Sequence, residues 1–225
     1  MKKLKLFALA AVAFLGFSGA ANAETVLLAS DDFVGISFWL VSMACLAATV
    51  FFFLERSSVP PGWRVSITVA GLVTGIAFVH YIYMREVWIM TGESPTVYRY
   101  IDWLITVPLL MLEFYFVLAA VRKISGGIFW RLLIGTLVML VAGYMGEAGF
   151  INAWAGFIVG MAGWAYILYE IFAGEAGKAA ADKCPAAVQT AFNTMRWIVT
   201  IGWAIYPLGY FFGYLTGGAL SLIHI

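Results

Sequence analysis

The chain of 225 residues is 64% hydrophobic and only 11% charged, where an ordinary soluble domain carries about 25% charged residues. Its apolar surplus is too large for one globular core and reads as an all-α, multi-pass membrane protein. A net charge of +1 excludes a broadly basic surface for nucleic acid, and without a Gly-rich phosphate loop or paired Cys/His spacing no nucleotide or metal site is indicated.

Residues 1–23 carry Lys2, Lys3 and Lys5, then an apolar run from Leu6 to Phe17, then Ala21, Asn22 and Ala23. This is the pattern of a signal peptide cleaved before Glu24, with an uncleaved first helix as the alternative. Runs of about 20 apolar residues then predict six spans, near 33–54, 65–84, 97–121, 129–145, 151–172 and 188–214. The link from Glu55 to Arg64 holds Pro60 and Pro61, and that from Gly174 to Pro185 is polar and rich in Ala and Gly; both read as solvent loops. Cys45, in a span, and Cys184, in a loop, are expected at different depths, which argues against a disulfide. With the N-terminus outside, Arg56, Arg64, Arg122, Lys123, Arg131, Lys178, Lys183 and Arg196 fall on the inner side. Only Arg85 lies in an outer loop, with Arg99 just inside a helix, so the positive-inside rule fixes that topology.

The third span places Arg99, Asp102 and Glu113 in a segment that otherwise belongs in lipid. An ionisable group at the bilayer centre costs about 2.5–3.5 kcal/mol on the mildest scale, so such groups normally line an ion path or a buried site. At 100° per residue, Asp102 and Glu113 lie about 20° apart on one face and roughly 16 Å apart along the axis. They form a column of groups able to exchange protons. A carboxylate beside a buried cation stays ionised until the pair is altered, whereas an acid in an apolar half-channel is held protonated and can donate. The same span holds Pro108, expected to bend the helix.

Five stretches carry a family resemblance: Gly-Ile-Ser-Phe-Trp-Leu-Val at 35–41, Gly-Ile-Ala-Phe-Val-His-Tyr at 75–81, Tyr-Arg-Tyr-Ile-Asp-Trp-Leu at 98–104, Gly-Tyr-Met-Gly-Glu-Ala-Gly at 143–149 and Gly-Trp-Ala-Ile-Tyr-Pro at 202–207. Over residues 32–219 the chain resembles the microbial rhodopsins, and within them the green-absorbing proteorhodopsins of marine bacteria. The resemblance implies a seven-helix bundle, of which this chain supplies six helices, enclosing all-trans retinal on a lysine of the seventh. It implies a light-driven outward proton pump in the bacterial inner membrane rather than an enzyme, with a sensory photoreceptor or a non-photoactive membrane fragment as alternatives.

By motif, Asp102 matches the counterion and proton acceptor and Glu113 the proton donor. Thr106 completes the Asp-Thr-Glu pattern of outward proton pumps, and His80 and Arg99 match the counterion network. His80 alone reads equally as a core histidine, and Arg99 as a residue snorkelling to the interface. Trp103, Leu110, Met139, Trp164, Trp203, Tyr206 and Pro207 match the retinal pocket, although aromatic residues in membrane chains also serve as packing or interface belts. Leu110 occupies the position that separates green from blue absorption. Trp39 matches a protomer contact, which implies a pentamer or hexamer. Glu147 and Glu170 read as solvated carboxylates at helix ends, with a proton-release role as the alternative for Glu147, and neither is assigned to the path.

The resemblance also calls for a mid-membrane lysine, and this chain has none: Lys123, Lys178 and Lys183 fall in the inner loops. Residues 220–225, Leu-Ser-Leu-Ile-His-Ile, correspond in one reading frame to a transposon end used as an adapter in DNA-library preparation. They are expected to be non-native, so that the seventh helix is missing, covalent attachment of retinal is impossible and the chain as it stands is inactive. A naturally shortened six-helix relative is the alternative.

Overall fold

The computed structural model describes residues 29–216. The expected signal peptide and the tail 220–225 lie outside the described residues. Six spans are present, and among the described residues there is no strand.

Helix α1 (Phe33–Glu55) starts at Asp32, whose side chain accepts from Gly35 N–H at 2.8 Å. The Trp88 indole N–H donates to the same carboxylate at 3.1 Å, tying the start of α1 to the far end of α2 (Arg64–Thr91). A 3-10 turn, Pro61–Trp63, links the two helices. The sequence expectation ended α2 near residue 84; the helix continues a further turn and more, because Trp88 and Arg85 have partners on or before α1. Arg85 lies over the Trp39 ring at 5.7 Å. Gly92, with φ 67°, closes α2 in a left-handed conformation that glycine adopts without steric cost.

Helix α3 (Thr96–Ala119) contains Pro108 and is the central element. Half of its most apolar stretch is buried, against 11% for α1 and 6% for the last span. Helices α4 (Gly126–Glu147) and α5 (Ala153–Phe172) are capped by Ser125 and Asn152 side chains and pack through glycines. A Cβ on Gly156 would stand 2.7 Å from Gly146 Cα, and one on Gly163 2.8 Å from the Met139 nitrogen. Only hydrogen at these positions permits the observed approach.

The link 174–185, expected as a solvent loop, is a helix, α6 (Glu175–Lys183). Alanine favours helix, and Ala176 and Ala180, one turn apart, are buried against the bundle. The sixth span, expected as one helix over 188–214, is broken: α7 (Ala186–Trp197), a wide π turn at Ile198–Gly202, α8 (Ile205–Tyr210) and a second π turn at Phe211–Leu215. Pro207 has no N–H to offer the Trp203 carbonyl, which accepts instead from Tyr206 N–H at 3.1 Å.

The apolar core gathers at the end of the bundle that carries Arg122 and Arg131, around Met111, Phe114, Leu118, Ile128, Ile171 and Phe192. Neighbouring helices pack in chain order, while α1 and the last span make no extensive contact with each other. The bundle is therefore open along that side.

Candidate functional site

Beyond the apolar core, residues of all six spans line a cavity of about 440 Å³, a size within the range of small-ligand sites. Its walls are mostly apolar and aromatic. Trp103, Leu110, Met139, Trp164, Trp203, Tyr206 and Pro207, expected to form one pocket, all line it, as do Arg99, Asp102 and Thr106. Residues spread over some hundred positions of sequence thus meet at one site. The Trp103 and Tyr206 rings stand edge to face at 4.9 Å, joining α3 to α8.

Asp102 is 3% exposed, and its Oδ1 has no hydrogen-bond partner among the described residues. A buried polar atom without a partner is costly and marks a place where a ligand group or water belongs. The Trp164 indole nitrogen, on the opposite wall, is another such atom. Thr106, one turn along, donates to the Asp102 backbone carbonyl at 3.0 Å rather than to its carboxylate. The Arg99 guanidinium sits 5.3 Å from the Trp103 ring centre and pairs with Glu147 of α4.

Glu147 is the main residue that the sequence reading left without a place in the site. Expected as a solvated helix-end carboxylate, its side chain is 5% exposed. It accepts from Arg99 and, at 2.6 Å, from the Tyr214 hydroxyl. This cluster forms one end of the cavity. Glu170, also expected in solvent, is 2% exposed and pairs with Arg131.

Glu113 lies outside the cavity, toward the apolar core. It is buried, and the Ser66 hydroxyl donates to its Oε2 at 2.5 Å, whereas Oε1 has no partner among the described residues. Ser66 lies 47 positions earlier, on α2; a lone serine near a helix start carries no signal for this role. His80 is half-buried on α2, does not line the cavity, and no hydrogen bond joins it to Asp102 among the described residues. Trp39 is 47% exposed on the outer face of α1, away from the cavity lining. Cys45 and Cys184 are free thiols.

An all-helical membrane bundle, with an aromatic cavity beside one buried acid and a second acid sealed off on the same helix, defines a rhodopsin-like protein. Residues 32–223 match the family described as bacteriorhodopsin-like protein. The chain is 59% identical over 198 residues to the green-light absorbing proteorhodopsin of Gamma-proteobacterium EBAC31A08, covering 88% of this chain and 79% of that protein. It is 54% identical over 218 residues to the blue-light absorbing proteorhodopsin of Gamma-proteobacterium Hot 75m4, covering 97% and 85%. The crystal structure of blue light-absorbing proteorhodopsin from Med12 superimposes with a TM-score of 0.72 at 56% identity, covering 86% of this chain and 89% of that one. The chain belongs to the bacteriorhodopsin-like family, and is a retinal membrane protein of the ion-pumping kind rather than an enzyme.

Proposed function

We propose that the chain forms the proton-conducting wall of a light-driven outward proton pump of the green-absorbing proteorhodopsin type. The observation that carries this reading is the separation of two buried acids on α3. Asp102 opens into the cavity, and Glu113 is shut away from it beside Ser66. Two carboxyls in such different surroundings suit an acceptor and a donor acting in sequence.

The cavity fits retinal: its volume, its apolar and aromatic walls and the unpartnered Asp102 Oδ1 suit a long apolar molecule with one cationic nitrogen. When bound through a lysine, retinal supplies light absorption and an isomerisation that changes the proton affinity and direction of that nitrogen. Trp103, Trp203 and Tyr206 would hold it by packing, and Asp102 would take the proton released toward its side of the cavity. Arg99 offsets negative charge there and leads to Glu147 and Tyr214, so a proton leaving Asp102 enters a hydrogen-bonded cluster. Glu113 returns a proton from the other side, with Ser66 holding the carboxylate that remains. Thr106 fixes the α3 backbone at Asp102, and the motif match alone supports counting His80 with the acceptor's network.

Arg56, Arg64, Arg122, Lys123, Arg131 and Lys178 mark the Glu113 end as cytoplasmic, with the N-terminus outside the bacterial inner membrane. Leu110, on the cavity wall, supports the green assignment, because an apolar residue there leaves the charge distribution of the chromophore unshifted. Trp39, exposed on α1, suits a protomer contact in a pentamer or hexamer. Among the described residues lining the cavity there is no lysine. The reading therefore needs a lysine that the described cavity wall does not supply, and without one the chain is expected to hold retinal weakly and not to pump.

The test is illumination of cells expressing the chain joined to a lysine-bearing seventh helix. The expected result is acidification of the medium, abolished by a protonophore and absent with Asp102→Asn. A pigment that forms but moves no protons would favour a photosensor and overturn the pump.

A further inference from the structure

The pump reading leaves unused a cluster of charged groups at the cytoplasmic end, where α6 folds back onto the bundle. Glu170, at the end of α5, accepts from Arg131 of α4 through both carboxylate oxygens, at 3.0 and 3.1 Å. Its Oε1 also accepts from the backbone N–H of Ala176, in the first turn of α6, at 3.1 Å. The same arginine reaches Glu175 of α6 at 2.5 Å. From the other side, Arg122, just past α3, donates to the Ala179 carbonyl at 2.8 Å. Two arginines, one on α4 and one just past α3, therefore fasten one nine-residue helix, one at its start and one at its middle.

What α6 covers is set by its buried face. Ala176, Ala180 and Cys184, at successive spacings of four, belong to the same apolar cluster as Phe114, Val117 and Leu118 of α3. Val117 stands one turn beyond Glu113 on the same face of that helix. The close seating depends on glycine: a Cβ on Gly174 would stand 2.5 Å from Glu170 Oε2, and one on Gly177 2.6 Å from the Phe172 carbonyl oxygen.

We infer that α6 is a plug across the cytoplasmic approach to Glu113, and that Arg122 and Arg131, through Ala179 and Glu170, are positioning residues that set how readily water reaches that carboxyl. The inference rests on the cytoplasmic placement and donor role proposed above. A donor must stay dry while its proton is needed inside and be refilled from the cytoplasm afterward, and a helix held by a few charge-assisted bonds can open without disturbing the spans.

The experiment uses the 225-residue chain in open membranes, without light or retinal. Cys184 is alkylated with a water-soluble maleimide, Glu113 is modified with a water-soluble carbodiimide and an amine, and both are quantified by peptide mass spectrometry. Cys45 and Asp102 are the internal references. Arg131→Gln, Glu170→Gln and Arg122→Gln are each expected to raise both rates roughly tenfold, the weight of one charge-assisted hydrogen bond, with Cys45 and Asp102 unchanged. Arg122→Lys is expected to return both toward wild type. Exposed Cys184 with unchanged Glu113 would overturn the plug, and unchanged Cys184 in all variants would overturn the clips. If a Glu170 or Arg131 variant also exposes Cys45, its fold is lost and the Arg122 pair decides. A failed pump measurement would leave these rates standing, so the two readings fall separately.

Discussion

Asp102 and Glu113 differ in what their oxygens touch, and the proposed acceptor and donor roles rest on that difference. Asp102 presents an unpartnered Oδ1 in the cavity, whereas Glu113 is held by Ser66 and removed from it. Without the Ser66 hydroxyl, the carboxylate left after donation would be unsolvated. Ser66→Ala is therefore expected to slow the donation step roughly tenfold, the value of one hydrogen bond to a charged group. Flash spectroscopy of the complete pigment checks this, and an unchanged late phase would dismiss Ser66. Leu110→Gln is expected to move the absorption maximum to the blue without loss of the pigment, read directly from the visible spectrum. Trp103, Trp203, Tyr206 and Pro207 were legible because each sits in a motif of its own helix. Ser66 and Glu147 were not, since each acts on a group some fifty positions away and only the register between helices brings them together.

At the level of elements, the spans were legible because about 20 apolar residues in a row leave the backbone no alternative in lipid. Their ends and interruptions were not. α6 looked polar over its full length, and only its seat on the bundle reveals that Ala176, Ala180 and Cys184 share a buried stripe. The broken sixth span follows from Pro207 together with the cavity, since a wide turn lets Trp203, Tyr206 and Pro207 all face inward. The α4–α5 contact depends most on absent side chains. Gly156→Leu would drive carbons into the Gly146 Cα and the Ala142 carbonyl, 2.7 and 2.8 Å from the first added atom. Both neighbours are backbone and cannot swing away, so the cost is expected at about 1–3 kcal/mol or above. A lowered thermal midpoint in detergent, against little change for a substitution at exposed Ile158, would confirm it.

For the whole molecule, the decisive feature is the open side between α1 and the last span, whose apolar stretches are only 11% and 6% buried. In lipid, apolar side chains on that side are at home, but the buried Asp102 Oδ1 in the cavity wants a polar partner. A further helix placed there would close the cavity, and a lysine on its inner face would meet Asp102 as a cation meets a buried carboxylate. Expressing a separate lysine-bearing seventh helix from a relative, together with the 225-residue chain, therefore separates scaffold from chromophore attachment. With all-trans retinal, the pair is expected to give a visible band that resists extraction after borohydride reduction, and Asp102→Asn is expected to shift that band strongly. The chain alone is expected to give only retinal that washes out. A covalent pigment formed by the 225 residues without the added helix would overturn this account, because it would place the attachment on Lys123, Lys178 or another residue remote from Asp102.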